Sequence, residues 1–335
     1  MRSVLFVGLI GLVLGLAAPA LAAPCDEAAA YSDQRAGVSV LVLKDGQVVC
    51  ERYTAGGEPT QGWELWSGTK SFSGLIAAAA VQDGLLSLDE KVSDTVPEWR
   101  DDPRKAGATI RQLLNLTSGL STTIGKPPVY DGAIATPFSA APGTRFQYGA
   151  EPFQVFGAVM NRKLAAAKTG DADVLAYLHR RVLGPIGAEP SGWRRTAAGE
   201  PLMPQGASFT AREWAKVGEF VRAGGTLRGK PLVDPAAFMA QFVGSKVNPA
   251  YGVSWWLPGV GGYGPRGATS DFATHAAELP GDLVIAAGAG YQRLYVIPSC
   301  GLTIVRQAPI PEATRDETPA WSDFAFLTPI LKGWC

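Results

Sequence analysis

Histidine is scarce in this sequence, and cysteine and methionine are nearly as rare. The 335 residues include two histidines, four cysteines and four methionines, and no two cysteines have CxxC spacing. The ligands of a zinc site are therefore in short supply, and we predict no metal or other cofactor. An excess of one charge is also absent, because 30 lysines and arginines balance 30 aspartates and glutamates. This balance gives no electrostatic reason to expect nucleic acid or an anionic membrane as a partner.

Only the N-terminus carries a long apolar run. A basic residue precedes a hydrophobic stretch over residues 4–16, and Ala20-Leu21-Ala22 then matches a signal-peptidase site. The run is too short for a comfortable membrane span, and no second run follows. We therefore predict a signal peptide over residues 1–22, a mature chain without an integral membrane span, and a periplasmic or secreted location. A lipoprotein signal at Cys25 is the weaker alternative, because Pro24 stands where such signals need a small residue.

Strand patterns lie near both ends of the mature chain. The first two, at residues 38–43 and 48–53, flank the hairpin turn Lys44-Asp45-Gly46-Gln47. Strand patterns return late in the sequence, before a closing helix, at residues 253–257, 283–287, 294–297 and 302–305. The sheet is therefore expected to draw its strands from both chain ends.

Helical patterns fill the middle of the chain. An alanine-rich segment over residues 71–83 predicts a buried helix, and Thr210-Ala211-Arg212-Glu213 is a capping box that opens another. We predict one α/β (α+β) domain over residues 23–335, with a helical region at about 71–230 inserted into the sheet part.

The four cysteines are Cys25, Cys50, Cys300 and Cys335. An even number in an exported chain indicates two disulfides, and the sequence allows three connectivities. We favour Cys25–Cys50 with Cys300–Cys335. A helix before the first strand and a helix after the last strand would pack on the same face of the sheet. Cys25 and Cys335, at the ends of these helices, would then lie near the end of the sheet where the hairpins carry Cys50 and Cys300.

One serine has a context that suits nucleophilic catalysis. The G-x-S-x-G elbow is absent, but Ser67-Gly68-Thr69-Lys70 directly precedes the alanine-rich helix. A Ser-x-x-Lys match is close to chance by itself. At a helix start, however, Lys70 would lie one turn beyond Ser67 on the same side.

This geometry has a chemical use. A serine hydroxyl is a poor nucleophile until a base takes its proton, and a lysine can act as that base only when it is neutral. Burial disfavours the ammonium form, and the positive potential of a helix N-terminus favours an alkoxide. We predict Ser67 as nucleophile and Lys70 as its base.

With these residues in view, the chain resembles the serine β-lactamase and penicillin-binding protein family, in particular its class C and esterase-like branch. The resemblance lies in four stretches, at residues 64–72, 110–120, 142–148 and 292–305. They occur in the family's order and span nearly the whole mature chain. The resemblance implies a β-lactamase/transpeptidase-like fold with an antiparallel sheet flanked by helices.

The resemblance also implies further site residues. Tyr148 would be the third catalytic residue, moving a proton between Ser67, Lys70 and the leaving group. The oxyanion hole would consist of the backbone N–H groups of Ser67 and Ala289. Apart from the resemblance, the pair Trp255-Trp256 is expected to pack the sheet, with lining of the cleft as the alternative.

The sequence departs from the family pattern where substrate carboxylates are held. Ala150 replaces an asparagine, and Ala286-Ala287-Gly288 lacks the usual cation. These losses argue against β-lactam or peptidoglycan-peptide chemistry, unless an arginine such as Arg266 or Arg293 compensates.

We therefore predict an exported serine hydrolase acting on a small-molecule ester, amide or peptide. The alternatives are a β-lactamase or DD-peptidase, and a non-catalytic relative that binds cell-wall peptides or a protein partner.

Overall fold

In the computed structural model of the chain, which describes residues 22–54, 56–258, 271–310 and 320–335, a five-stranded antiparallel sheet joins both ends of the sequence. In chain order the strands are β1 (Ser39–Lys44), β2 (Gln47–Tyr53), β3 (Trp63–Glu64), β4 (Gly192–Trp193), β5 (Ala207–Phe209), β6 (Thr226–Leu227), β7 (Lys230–Pro231), β8 (Val284–Gly288), β9 (Gln292–Ile297) and β10 (Leu302–Gln307). The main sheet has the order β2-β1-β10-β9-β8, so β1 pairs with β10 near the other end of the sequence. The predicted construction from both termini is confirmed.

The helices fill the middle of the chain and both its ends. They are α1 (Ala22–Asp33), α2 (Ser71–Gln82), α3 (Ile110–Leu114), α4 (Tyr130–Ala135), α5 (Glu151–Ala167), α6 (Val174–Leu178), α7 (Gly184–Ile186), α8 (Ala211–Arg222), α9 (Pro235–Ala240), α10 (Phe272–His275) and α11 (Asp323–Trp334). Within the described ranges, no helix is both long and apolar enough to cross a membrane. Helix α2 is buried along almost its whole length, as its alanine-rich sequence indicates.

The turn between β1 and β2 follows its predicted chemistry. Asp45 and Gly46 both have left-handed backbone angles, with φ of 49° and 79°. Two successive positive φ values are what a two-residue type I′ hairpin requires. The turn packs beside the β9–β10 connection, where the amide of Asp45 donates to the carbonyl of Gly301 over 2.7 Å.

The sheet lies between two helical layers. On one face α1 packs against α11, and Tyr295 of β9 stacks on Phe326 of α11. On the other face α8 packs against β9 and β10, where Gly218 lies against Leu294 and Thr303. The two terminal helices thus share a face, as expected.

Both disulfides have the favoured pairing. Cys25 of α1 is joined to Cys50 of β2, and Cys300 of the β9–β10 turn is joined to Cys335 after α11. Each bond ties a terminal helix to the sheet that it covers.

One local prediction was wrong, and a second was confirmed only in part. The expected strand at residues 253–257 is reduced to single bridges at Trp256, because Ser254 has a left-handed φ of 73° that interrupts an extended run. The capping box is half formed. Thr210 accepts from the amide of Glu213, but the Glu213 carboxylate accepts from the amide of Glu189 instead of closing the box.

Candidate active site

Ser67 and Lys70 lie on one short helical turn. They belong to a 3-10 helix, Trp66–Lys70, that runs directly into α2, so Ser67 precedes the α-helix rather than starting it. The Lys70 Nζ atom is 3.1 Å from the Ser67 Oγ atom, within hydrogen-bond distance. Trp66 enters the turn with a left-handed φ of 49°. This backbone conformation is costly for a residue with a bulky side chain, and tertiary contacts must hold it.

The backbone around this turn is fixed by strand β5. The amide of Leu65 donates to the carbonyl of Ala207 over 2.8 Å. The amide of Ala207 in turn donates to the Thr69 hydroxyl over 3.1 Å. Leu65, before Ser67, and Thr69, before Lys70, are therefore both held by Ala207 of β5.

The Lys70 side chain is sequestered from water. The residue is 4% exposed, and its Nζ also donates to the carbonyl of Pro204 over 3.1 Å. The ring centroids of Tyr148 and Phe153 lie 4.9 and 5.5 Å from Nζ. Burial lowers the pKa of Lys70 to about 7, against an opposing effect of the Glu151 carboxylate. At neutral pH about half of the lysines are therefore neutral and able to accept a proton.

The Tyr148 side chain lies beside the Lys70 amino group. Its ring packs against Trp256 and, edge-on, against Tyr251, with centroids 5.5 and 6.3 Å away. Burial raises the pKa of Tyr148, and hydrogen bonds with Ser67 and Trp256 offset part of the increase. The phenol therefore stays protonated at neutral pH and can relay a proton without becoming a phenolate base.

A buried carboxylate that the sequence reasoning missed supports Tyr148. Glu151, the first residue of α5, is 4% exposed, and its two oxygens accept from the amide and the hydroxyl of Thr123 over 2.8 and 2.6 Å. The neighbouring Thr122 hydroxyl donates to the carbonyl of Tyr148 over 3.1 Å. The signal for Glu151 was a carboxylate in the first turn of a helix just after the tyrosine.

The edge strand β8 approaches the turn that carries Ser67 very closely. A Cβ atom added to Gly288 would lie 2.0 Å from the Leu65 carbonyl oxygen and 3.1 Å from the Gly68 nitrogen. Only glycine allows this approach. Ala289, the predicted oxyanion-hole donor, follows directly and begins a 3-10 turn, Ala289–Tyr291.

The structure accounts for the other predicted residues. Arg293 is 1% exposed, and its Nε is 2.7 Å from a carboxylate oxygen of Asp323, so this side chain is held by an ion pair inside the protein and not extended to hold a substrate carboxylate. Arg266 lies outside the described residues. Trp256 is 5% exposed, bridges to Ile285 of β8 and packs against the Tyr148 ring.

Among the residues that the structure describes, no three His, Cys, Asp or Glu side chains gather in a way that could hold a metal ion.

Comparisons with known proteins point to one family. A family model described as Beta-lactamase matches residues 21–321. The 6-aminohexanoate-dimer hydrolase of Paenarthrobacter ureafaciens is 23% identical over 275 residues, which cover 71% of this chain and 68% of that protein. Protein flp of Staphylococcus aureus is 33% identical over 98 residues, 26% of this chain and only 20% of the relative's length.

Solved structures share the fold at low sequence identity. A putative beta-lactamase from Bacteroides dorei DSM 17855 superimposes with a TM-score of 0.71 at 17% identity, covering 91% of this chain and 96% of the other. A family VIII carboxylesterase superimposes with a TM-score of 0.67 at 16% identity, covering 96% and 99%.

Proposed function

Because this chain belongs to the beta-lactamase family, we propose that it is a serine hydrolase that cleaves esters or amides through an acyl-enzyme on Ser67. The observation that carries the proposal is the pair formed by Ser67 Oγ and a buried Lys70 Nζ at 3.1 Å, with the lysine pKa at about 7. An activated nucleophile needs a base within hydrogen-bond reach and at a matched pKa, and this pair meets both conditions.

In the proposed acylation step, neutral Lys70 accepts the hydroxyl proton of Ser67 as Oγ attacks the carbonyl carbon of the substrate. The negative charge that develops on the carbonyl oxygen is stabilised by the backbone N–H groups of Ser67 and Ala289. Tyr148, whose ring centroid lies 4.9 Å from Lys70 Nζ, donates a proton to the leaving oxygen or nitrogen and regains one from Lys70. Hydrolysis of the ester by water then returns free Ser67.

The proposed substrate is a small molecule without a carboxylate next to the scissile bond. Ala286 and Ala150 stand where the family pattern has a cation and an asparagine amide, and Arg293 is engaged by Asp323. The hydrolase and carboxylesterase among the similar proteins support esters and amides as the classes to test. The family match itself keeps β-lactams as the second class.

The deciding experiment is labelling with a fluorophosphonate probe followed by peptide mass spectrometry. We expect one adduct, on Ser67, and none in Ser67→Ala. A folded protein with no adduct would refute the proposal and favour a non-catalytic binding role. Parallel assays with p-nitrophenyl esters, short amides and nitrocefin then define the substrate. Fast nitrocefin turnover would replace the ester or amide proposal with a β-lactamase.

We also propose that the chain is exported and loses residues 1–22. The two disulfides support an oxidising compartment, where such bonds persist. Intact mass measurement of the protein from its natural host tests this: the expected mass begins near Ala23, and a full-length cytoplasmic protein would contradict it.

A further inference from the structure

A buried guanidinium lies behind the strand edge that approaches the nucleophile. Arg293 of β9 is 1% exposed, and its Nη1 donates to the carbonyls of Gly288 and Gln292 over 3.3 and 3.0 Å. Its Nε and Nη2 donate to the two oxygens of Asp323 over 2.7 and 3.3 Å. The guanidinium is thus oriented by a carboxylate on one side and bound to the end of β8 on the other.

The carbonyl of Gly288 and the N–H of Ala289 belong to the same peptide group. A peptide group is planar, and in the trans form its oxygen and its hydrogen point in opposite directions. The described residues contain no cis peptide bond. A donor that fixes the Gly288 oxygen therefore also fixes the direction of the Ala289 N–H, which points away from Arg293.

The turn that carries Ser67 also contacts the end of β8. Gly288 packs directly against the Leu65 carbonyl and the Gly68 amide of the turn that carries Ser67. Arg293 and the turn that carries Ser67 therefore both contact Gly288 at the end of β8.

We propose that Arg293 is a positioning residue, which holds the Gly288–Ala289 peptide so that the Ala289 N–H is aimed at the carbonyl oxygen of the substrate. This inference rests on the acyl-enzyme function proposed above and on Ala289 as an oxyanion donor. A preorganised N–H stabilises the tetrahedral intermediate without having to reorient during the reaction. The cation on the carbonyl oxygen also polarises the peptide, which makes its N–H a stronger donor.

Asp323 has a defined part in this arrangement. It is 1% exposed in the first turn of α11, and it also accepts a hydrogen bond from the hydroxyl of Tyr295. Its charge compensates the buried guanidinium, since an unpaired cation in this position would be strongly destabilising. Asp323 thus fixes the plane of Arg293, and Arg293 fixes the plane of the peptide.

The test compares acylation with ground-state binding in Arg293→Met and Arg293→Lys. With a p-nitrophenyl ester in single-turnover experiments, we expect Arg293→Met to acylate about 10- to 100-fold more slowly than wild type. This decrease is a sizeable part of the rate loss expected when one oxyanion donor is removed completely. The Km for the ester should change little, because the donor acts mainly in the transition state. Arg293→Lys keeps the charge but not the forked set of N–H donors, so its acylation rate should lie between those of wild type and Arg293→Met.

A tetrahedral mimic gives a second readout that a merely structural role would not move. Affinity for a boronic acid that adds to Ser67 should fall in parallel with the acylation rate. Lys105→Met is the matched control for lost stability, because it removes another buried cation whose amino group donates to a carbonyl, that of Ile134. We expect this control to lower the melting temperature and leave acylation per folded molecule unchanged.

Two further variants keep the outcomes separable. Asp323→Asn keeps the guanidinium but weakens the ion pair that orients it. We expect the acylation rate of this variant to fall selectively, by less than in Arg293→Met. The variant therefore tests the proposal even if Arg293→Met does not fold. Ser67→Ala tests the underlying function, and if its activity persists, that function is wrong. If Ser67→Ala is inactive while folded Arg293→Lys and Asp323→Asn acylate at the wild-type rate, the positioning role alone is overturned.

Discussion

The low pKa of Lys70 predicts how acylation depends on pH. With a pKa near 7, about half of the lysine side chains are neutral at pH 7, against roughly one in 3,000 for a lysine with its usual pKa near 10.5. The buried position therefore increases the reactive fraction by about three orders of magnitude. Below pH 7 the acylation rate should fall about tenfold for each pH unit, and above pH 8 it should level off.

The assay is the rate of fluorophosphonate labelling of Ser67 between pH 5 and 10, followed by intact mass so that detection does not depend on pH. Because the pKa of Tyr148 is raised, its phenol should not titrate below pH 9. The increase of the labelling rate with pH can therefore be assigned to Lys70. A midpoint above pH 9 would show that Lys70 is solvated, and a flat profile would show that another group is the base. Either result refutes the argument from burial.

The same shift has a consequence for stability, with a definite sign. The pKa of Lys70 is lower in the folded state, so between about pH 7 and 10.5 the unfolded chain binds the extra proton, and stability due to this residue rises with pH. Below pH 7 the buried cation costs on the order of 5 kcal/mol, from 1.36 kcal/mol per pKa unit. Lys70→Met should therefore abolish acylation and yet raise the unfolding free energy, most strongly at acidic pH.

Three further variants test the site and the scaffold. Gly288→Ala would place a methyl group 2.0 Å from the Leu65 carbonyl oxygen, so strand β8 should be displaced and labelling slowed by about 100-fold or more; an unchanged rate would show that β8 forms no part of the site. Glu151→Gln removes a charge that raises the pKa of Lys70, so the midpoint of the pH profile should move to lower pH, and a shift to higher pH would contradict this electrostatic account. Replacing Cys25 and its partner with serine opens a link of 25 residues, which should lower the unfolding free energy measured in urea by about 3.5 kcal/mol and leave the midpoint of the pH profile of labelling unchanged.

The fold was predictable where local patterns and chain topology agreed. The hairpin at Asp45-Gly46 and the alanine-rich helix α2 follow from turn chemistry and composition. The disulfide pairing followed from the expectation that the terminal helices share a face. The three-stranded sheet of β3, β5 and β4 was not predictable, because strands of two or three residues leave no periodic pattern.

The sequence predicted which residues form the candidate site, but it did not predict the contacts that surround them. Ser-x-x-Lys placed Ser67 and Lys70 on one helical turn, and their 3.1 Å contact agrees with this. The Pro204 carbonyl that accepts from Lys70 leaves no trace in the sequence, because any residue could supply a carbonyl there. The sequence identified Arg293 as a cation that could hold a substrate carboxylate. Only the folded chain shows that Asp323 orients this side chain toward the backbone of β8.

The order of the strands also determines when the enzyme can first act during its own synthesis. The nucleophile and its lysine are made early, but β8, which flanks them, follows more than 200 residues later. At 5–20 residues per second this delay lasts roughly 10–40 s. Throughout that time a growing chain carries Ser67 and Lys70 without strand β8. With Ala289 as the proposed oxyanion donor, a chain released before β8 is made should lack that donor and should acylate poorly.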